Sequence, residues 1–363
     1  MKKARKILVW LIAAVLLYVG GILLLGTLTD WHPTEVEPAD VWVGKSSEPV
    51  IQDSVLRFIT WNVGYGGLGD ADFFFYNKGD FFWTDLGTVR MSEARVTANV
   101  AGQRLVVGNS LSDFFLLQEV DTAARRSHYL NELDTVRAAR AGYTTAFAPN
   151  FKSTRVPLPI FQPWDHYGAV TGGLVSTSRF TPRTSERIPL PGEFPWPTKL
   201  FQLDRCALRQ AFPTANGKSV VVYNIHLSAY DKDGGVRLQQ MSALRQAALA
   251  DYEAGNYVVV GGDWNQIPPG YNWFTLNPVV KKVQLPQAVP FDFMPPGWKY
   301  AYDPTTATVR NSEIPYDSHR TRRSVIDFYL LSPNLRIKQV KGLEMGFKHS
   351  DHQPVYLEVD LLD

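Results

Sequence analysis

Six apolar runs in this chain each stop on a carboxylate, an amide or an imidazole, and that repetition constrains the fold more than any other feature. Leu56-Arg-Phe-Ile-Thr-Trp-Asn62 ends in Trp61-Asn62, and a glycine-rich turn follows at 63–67. Phe114-Phe-Leu-Leu-Gln-Glu-Val120 ends in Gln118-Glu119, and Val221-Val-Tyr-Asn-Ile-His226 ends in a histidine. Val258-Val-Val-Gly-Gly-Asp-Trp-Asn265 sets Asp263 and Asn265 two apart, on one face of an extended chain. Asp327 sits between Ile326 and Phe328, where burial is costly without a partner, and His349-Ser-Asp-His352 precedes the last run. Taken singly, each is a turn residue or a hydrogen-bonded core group. Six on aligned strands converge on one rim.

The predicted strands are 56–61, 114–118, 174–177, 219–226, 257–261, 325–331 and 354–360, rich in Val, Ile, Phe and Tyr. Several are apolar on both faces, the pattern of strands buried between layers. The predicted helices are 89–105, 123–141 and 236–254, the last stopped by Gly255. Three proline- and aromatic-rich stretches, 151–164, 190–196 and 291–319, read as long ordered loops that shape a binding site. The mixture indicates sheets packed together with helices outside.

A charge-free run at 7–28 follows Lys2, Lys3, Arg5 and Lys6. Its length, about 33 Å as a helix, matches the hydrocarbon core of a bilayer. The flanking cations place the N-terminus in the cytoplasm and the rest of the chain beyond the membrane. A cleaved signal peptide is the competing reading, but the run exceeds the usual signal core and no small-residue cleavage motif follows Leu28. Residues 1–29 are therefore expected to be a basic tip and single-pass anchor, and 30–54 a proline-rich acidic tether. Residues 55–363 form the globular part. From Asp30 onward the chain has 33 basic and 35 acidic residues, so it lacks the basic footprint of a dedicated nucleic-acid binder. The one cysteine, Cys206, excludes an internal disulfide framework and a Cys-rich metal site.

The rim would hold Glu119, Asp263, Asp327 and Asp351 with Asn62, Asn265, His226 and His352. These oxygens are hard ligands suited to Mg²⁺, with Mn²⁺ or Ca²⁺ as alternatives, and the carboxylates need a cation to offset their repulsion. Histidines beside them suit acid–base work near neutral pH. The natural substrate for such a set is a phosphate ester.

In that order the motifs Trp61-Asn62, Gln118-Glu119, Asn224-Ile-His226, Gly262-Asp-Trp-Asn265, Val325-Ile-Asp327 and Ser350-Asp-His352 resemble the endonuclease/exonuclease/phosphatase superfamily, over roughly 55–363. The resemblance implies a four-layer α/β/β/α sandwich of two mixed sheets with the active site at one edge. It implies Glu119 as the main Mg²⁺ ligand, Asn62 beside metal and phosphate, and Asp351 as a second metal-side carboxylate. Asp263 and Asn265 would orient the attacking water and hold a phosphoryl oxygen. His352 would be the catalytic histidine, fixed by Asp327, with His226 assisting the leaving group as in the deoxyribonuclease and sphingomyelinase branches.

Two departures stand out. The inositol 5-phosphatase signature is absent around Asp327, and no glutamate partners His226, leaving Asp165 or Asp231 as substitutes. Arg310 is a candidate phosphate contact on charge alone. Arg237 and Gln240 share a helix face, which either braces the His226 loop or is simply solvated; Arg237 is the second candidate substrate contact. The aromatic insertion at 73–83 is either core or an apolar, lipid-facing lid beside the site. The expected activity is metal-dependent hydrolysis of phosphodiesters outside the cytoplasm, on nucleic acid, phospholipid or small diesters, with no obligate protein partner. The alternative is a membrane-anchored binding module of the same fold without chemistry.

Overall fold

The strand-forming runs assemble into two seven-stranded mixed sheets. The computed structural model describes residues 2–78, 81–84, 89–229, 231, 233–278, 280 and 285–362. One sheet runs, edge to edge, Glu37–Pro38, Thr184–Pro189, Cys206–Pro213, Ser219–His226, Tyr257–Asp263, Asp327–Leu331 and Lys299–Ala301. The other runs Leu335–Gly342, Val355–Leu361, Val55–Asn62, Phe114–Asp121, Gly168–Ser178, Thr144–Val156 and Asp40–Trp42. Val55–Asn62 pairs parallel with Phe114–Asp121, and Ser219–His226 with Tyr257–Asp263; the other strand pairs are antiparallel.

The inner faces interdigitate through Phe58, Phe114, Val222, Val259, Tyr329 and Leu357, with the Phe58 and Phe114 rings stacked at 4.6 Å. Four helices are numbered in chain order: α1 (Lys2–Leu28), α2 (Glu93–Asn109), α3 (Glu132–Ala139) and α4 (Gly235–Glu253). α4 lays Met241, Leu244 and Ala248 over Val221, Tyr223 and Val260. On the opposite outer face α2 and α3 bring Val107, Leu133 and Val136 onto Ile59, Trp61 and Phe115. The result is the expected α/β/β/α sandwich. Each such side chain removed from water contributes about 1.5–3 kcal/mol.

One polar bridge crosses the apolar interior just beneath the site. Gln118 Nε2 donates to Asn224 Oδ1 at 2.7 Å, and Asn224 Nδ2 donates to the carbonyls of Leu117 and Val175 at 3.0 Å each. Gln118 Oε1 has no partner among the described residues, but the bonds that are made tie one sheet to the other.

Several expectations need correction. The helix expected at 123–141 is confined to Glu132–Ala139. Asp121 captures the Arg126 guanidinium at 2.8 and 2.9 Å and the Ser127 hydroxyl at 2.9 Å, and holds the preceding residues in turns. The loop expected from residue 151 begins as the tail of Thr144–Val156. The 30–54 tether is partly sheet, because Glu37–Pro38 pairs with Thr184–Pro189 and Asp40–Trp42 with Thr144–Val156. α1 is long and apolar enough to cross a membrane, and its side chains are exposed or half-buried.

Candidate active site

Register alone brings three of the expected residues together. His226, Asp263 and Asp327 are direct cross-strand neighbours on adjacent strands, and Asn62 lies opposite Gln118 in the other sheet. The close approach needs a glycine: a Cβ on Gly262, at φ +148°, would fall 2.0 Å from the Ile225 carbonyl oxygen. Glu119 is aimed by a bulge. The pairing of its strand with Gly168–Ser178 slips between Leu117 and Val120, and Glu119 takes φ +55°. Asn265, at φ +49°, is the second site residue held in a backbone region disfavoured for non-glycine residues.

These side chains line one cleft. Glu119, His226, Asp263, Asn265, Asp351 and His352 all face it. His352 Nδ1 lies 2.8 Å from Asp327 Oδ2, and its Nε2 lies 3.8 Å from Asp263 Oδ2. His226 Nε2 is 3.5 Å from Asp263 Oδ2 and 3.8 Å from Glu119 Oε1. Burial alone would push the His352 imidazole down, but the charge and hydrogen bond of Asp327, with Asp263 and Asp351, carry it up to about 10. His352 is therefore a cation at neutral pH. Burial and then Asp327's charge raise Asp263 to about 7.

His226 is held well below the ordinary imidazole value by burial and then by the Arg205, His352 and Arg126 charges. Its Nδ1 is buried with no hydrogen-bond partner among the described residues, so neither Asp165 nor Asp231 pairs with it. Asp165 instead accepts from the Val89 amide at 3.0 Å, and Asp231 from the Arg237 amide at 2.8 Å. His226 is a neutral imidazole.

The carboxylates fit a divalent cation. Burial raises Asp351 to about 6, and the nearby Glu119 charge adds to the rise. Asp263, Asp327 and His352 also bring ligand atoms within 4.8 Å of one another, a spacing a metal could use. There, however, the imidazole nitrogen nearest Asp327 is already engaged by that carboxylate. Glu119 and Asp351, the pair the resemblance implies, line the same cleft. Asn62, expected beside the metal, has its Oδ1 accepting from the Gly64 amide, while Nδ2 donates to Glu119 Oε1 and Asp263 Oδ2 at 3.0 Å each. It clamps the two carboxylates.

Both arginine candidates are corrected as well. Arg310 lines the cleft, but its guanidinium spends itself on backbone carbonyls, with Gly69 at 2.6 Å, Asp72 at 2.9 Å and Ile314 at 3.1 Å. Arg237 donates to the carbonyls of Ser228 at 2.7 Å and Asp231 at 2.8 Å. Gln240 brackets Ser228 at 3.0 and 2.8 Å, so this α4 face braces the loop after His226.

Two residues went unnoticed in the sequence. Arg205 is buried beside the cleft, and among the described residues its guanidinium donates to the His226 carbonyl at 3.3 Å. Burial lowers it to about 10 against the pull of Glu119 and Asp263. Asn150 lines the same cleft with its amide nitrogen buried and without a partner among the described residues. The one signal for Arg205 is its place just before the strand that flanks Ser219–His226. Asn150 sits within an otherwise unremarked strand.

No family model and no curated protein matches the chain. Among solved structures it is similar to an endonuclease/exonuclease/phosphatase from Bacteroides vulgatus, at 16% identity over 85% of this chain and 100% of that one, with TM-score 0.52. It is also similar to ANGEL2, a 2',3'-cyclic phosphatase, in complex with adenosine-2',3'-vanadate, at 14% identity over 90% and 99% of the chains and TM-score 0.53. TDP2 from Caenorhabditis elegans aligns at 14% identity over 84% and 75%, with TM-score 0.51. The chain has the endonuclease/exonuclease/phosphatase fold.

Proposed function

We propose that this chain is a divalent-metal-dependent phosphodiester hydrolase whose chemistry resides in residues 55–363. α1 would anchor it as a single span, with the N-terminus in the cytoplasm and the cleft on the far side. The observation that carries the reading is the joining of the His352–Asp327 pair to Asp263 and Glu119 across two sheets in one cleft. A binding module would have no need of a buried imidazolium facing a second carboxylate.

Mg²⁺, or Mn²⁺ or Ca²⁺ in its place, held by Glu119 and Asp351 would supply positive charge to a phosphoryl oxygen. Asp263 orients the attacking water and accepts its proton, a task suited to a carboxyl near 7. His352 donates from Nε2 to a phosphoryl oxygen and stabilises the charge that develops there. Asp327 keeps that imidazole charged and correctly turned. Asn62 holds Glu119 and Asp263 in register. His226, being neutral, serves as a hydrogen-bond donor toward the leaving oxygen, and Asn265, Asn150 and Arg205 offer amides and a cation to the phosphate.

The test is turnover of bis-nitrophenyl phosphate with Mg²⁺, with and without chelator. Chelator should abolish turnover, and Glu119→Ala and His352→Ala should each cost at least about a hundredfold. Full activity in either variant would refute the assignment.

A further inference from the structure

The aromatic insertion expected to be either core or lid divides in two. Phe74 and Phe75 are packed into the protein, whereas Phe81, Phe82 and Trp83 lie 40%, 61% and 51% exposed; Gly79 and Asp80 lie outside the described residues. Beside them Phe161 and Trp164 are 43% and 64% exposed. Phe82 stacks on Phe161 at 5.8 Å and Trp83 meets Trp164 edge-on at 5.9 Å. The two loops pair through their backbones, Ile160 N to Phe81 O at 2.9 Å and Phe161 N to Phe82 O at 3.0 Å, so these peptide groups need no water.

This patch does not stand alone. Tyr18 of α1 donates to the Ile160 carbonyl at 3.0 Å, and Trp196, from a third loop, donates to Thr27 Oγ1 at 3.2 Å. Tyr18 precedes Leu28 by about 15 Å along the helix axis, so the aromatic loops lie level with the C-terminal half of the apolar span. Just behind Trp164, burial and the Arg125, Arg155 and Arg90 charges hold His166 down to about 4, the mark of a crowded cationic cluster. Aromatic side chains backed by cations are what a bilayer interface with phosphate headgroups accommodates. An apolar path then leads inward. Phe74 lines the cleft, its ring is 5.9 Å from Tyr76, and Tyr76 is 4.7 Å from Phe81.

We propose that these loops sit in the bilayer beside α1 and that the cleft takes its phosphodiester from a membrane lipid. The inference rests on the anchored-hydrolase reading above. Water adds to phosphorus, one P–O ester bond breaks, and the departing oxygen takes a proton, leaving an alcohol and a phosphomonoester.

The full-length chain is reconstituted in vesicles of phosphatidylcholine, phosphatidylglycerol and sphingomyelin, with bis-nitrophenyl phosphate as the soluble comparison. Phe82→Ser/Trp83→Ser/Trp164→Ser should lose about tenfold in lipid turnover while soluble turnover stays within about twofold, which also reports intact folding. Tryptophan quenching by brominated lipid should fall in Trp83→Phe/Trp164→Phe. Vesicle flotation with unchanged quenching would overturn the seating of the loops. Soluble turnover without hydrolysis of any of the three lipids would overturn the substrate class while leaving the hydrolase standing. Failure to float would refute the anchor and this proposal with it.

Discussion

Replacing Asp327 by Asn should erase a specific slice of the protein's pH-dependent stability. His352 rises from an ordinary 6.5 to about 10 in the folded chain, chiefly because Asp327 faces it against the cost of burial. A group raised on folding contributes stability that is complete below its unfolded value and is lost as pH climbs through its folded value. The window is therefore about 6.5 to 10. At about 1.4 kcal/mol per unit, three units from pH 7 to pH 10 give a ceiling of about 4 kcal/mol, a large share of a total near 5–15 kcal/mol. The measurement is urea unfolding of the detergent-solubilised full chain in chelator, followed by near-UV circular dichroism across that range. Wild type should lose stability steeply from pH 7 to pH 10. Asp327→Asn should start several kcal/mol lower and decline less, because only Asp263 and Asp351 are then left to favour the charged imidazole. Parallel decline of the two proteins would show that Asp327 does not hold the His352 charge.

Asp263 and Asp351 are raised to about 7 and about 6, so in chelator their ionisation costs stability progressively as pH rises from about 4. Mg²⁺ should relieve that cost, raising Tm clearly at pH 8 and hardly at pH 5, with Glu119→Gln removing the effect; an equal shift at both pH values would contradict the assigned ligands. Gly262→Ala should destabilise the chain by about 3 kcal/mol or more in urea titrations, since its methyl meets the Ile225 carbonyl at 2.0 Å. Gln240→Ala frees the Ser228 backbone behind His226, and should lower kcat about tenfold with KM little changed; unaltered kcat would mean the loop needs no brace.

The convergence of these residues on one cleft was legible because they close strands that are apolar on both faces, and six such endings together outweigh the bland reading of each. The strands of the sheet flanks were harder. Thr184–Pro189 and Leu335–Gly342 expose much of one side, and nothing local separates them from loops; cross-strand partners decide them. The helix at 123–141 failed for a comparable reason, since capture of Arg126 by Asp121 outweighs helix propensity nearby. Arginine fates were illegible. Whether a guanidinium meets phosphate or, like Arg310, a ring of peptide carbonyls depends on where a distant loop at 68–72 comes to lie. The Nδ1 of His226, without a partner among the described residues, fits the missing partner glutamate noted in the sequence.

Glu37–Pro38 and Asp40–Trp42 each cover an outermost strand, one per sheet, within a few residues of each other. A protease cutting upstream of Glu37 would leave both of these covering strands in place. A cut beyond Trp42 would bare two ladders of unsatisfied peptide groups at once, an invitation to self-association. A truncated form that stays monomeric should therefore begin before Glu37.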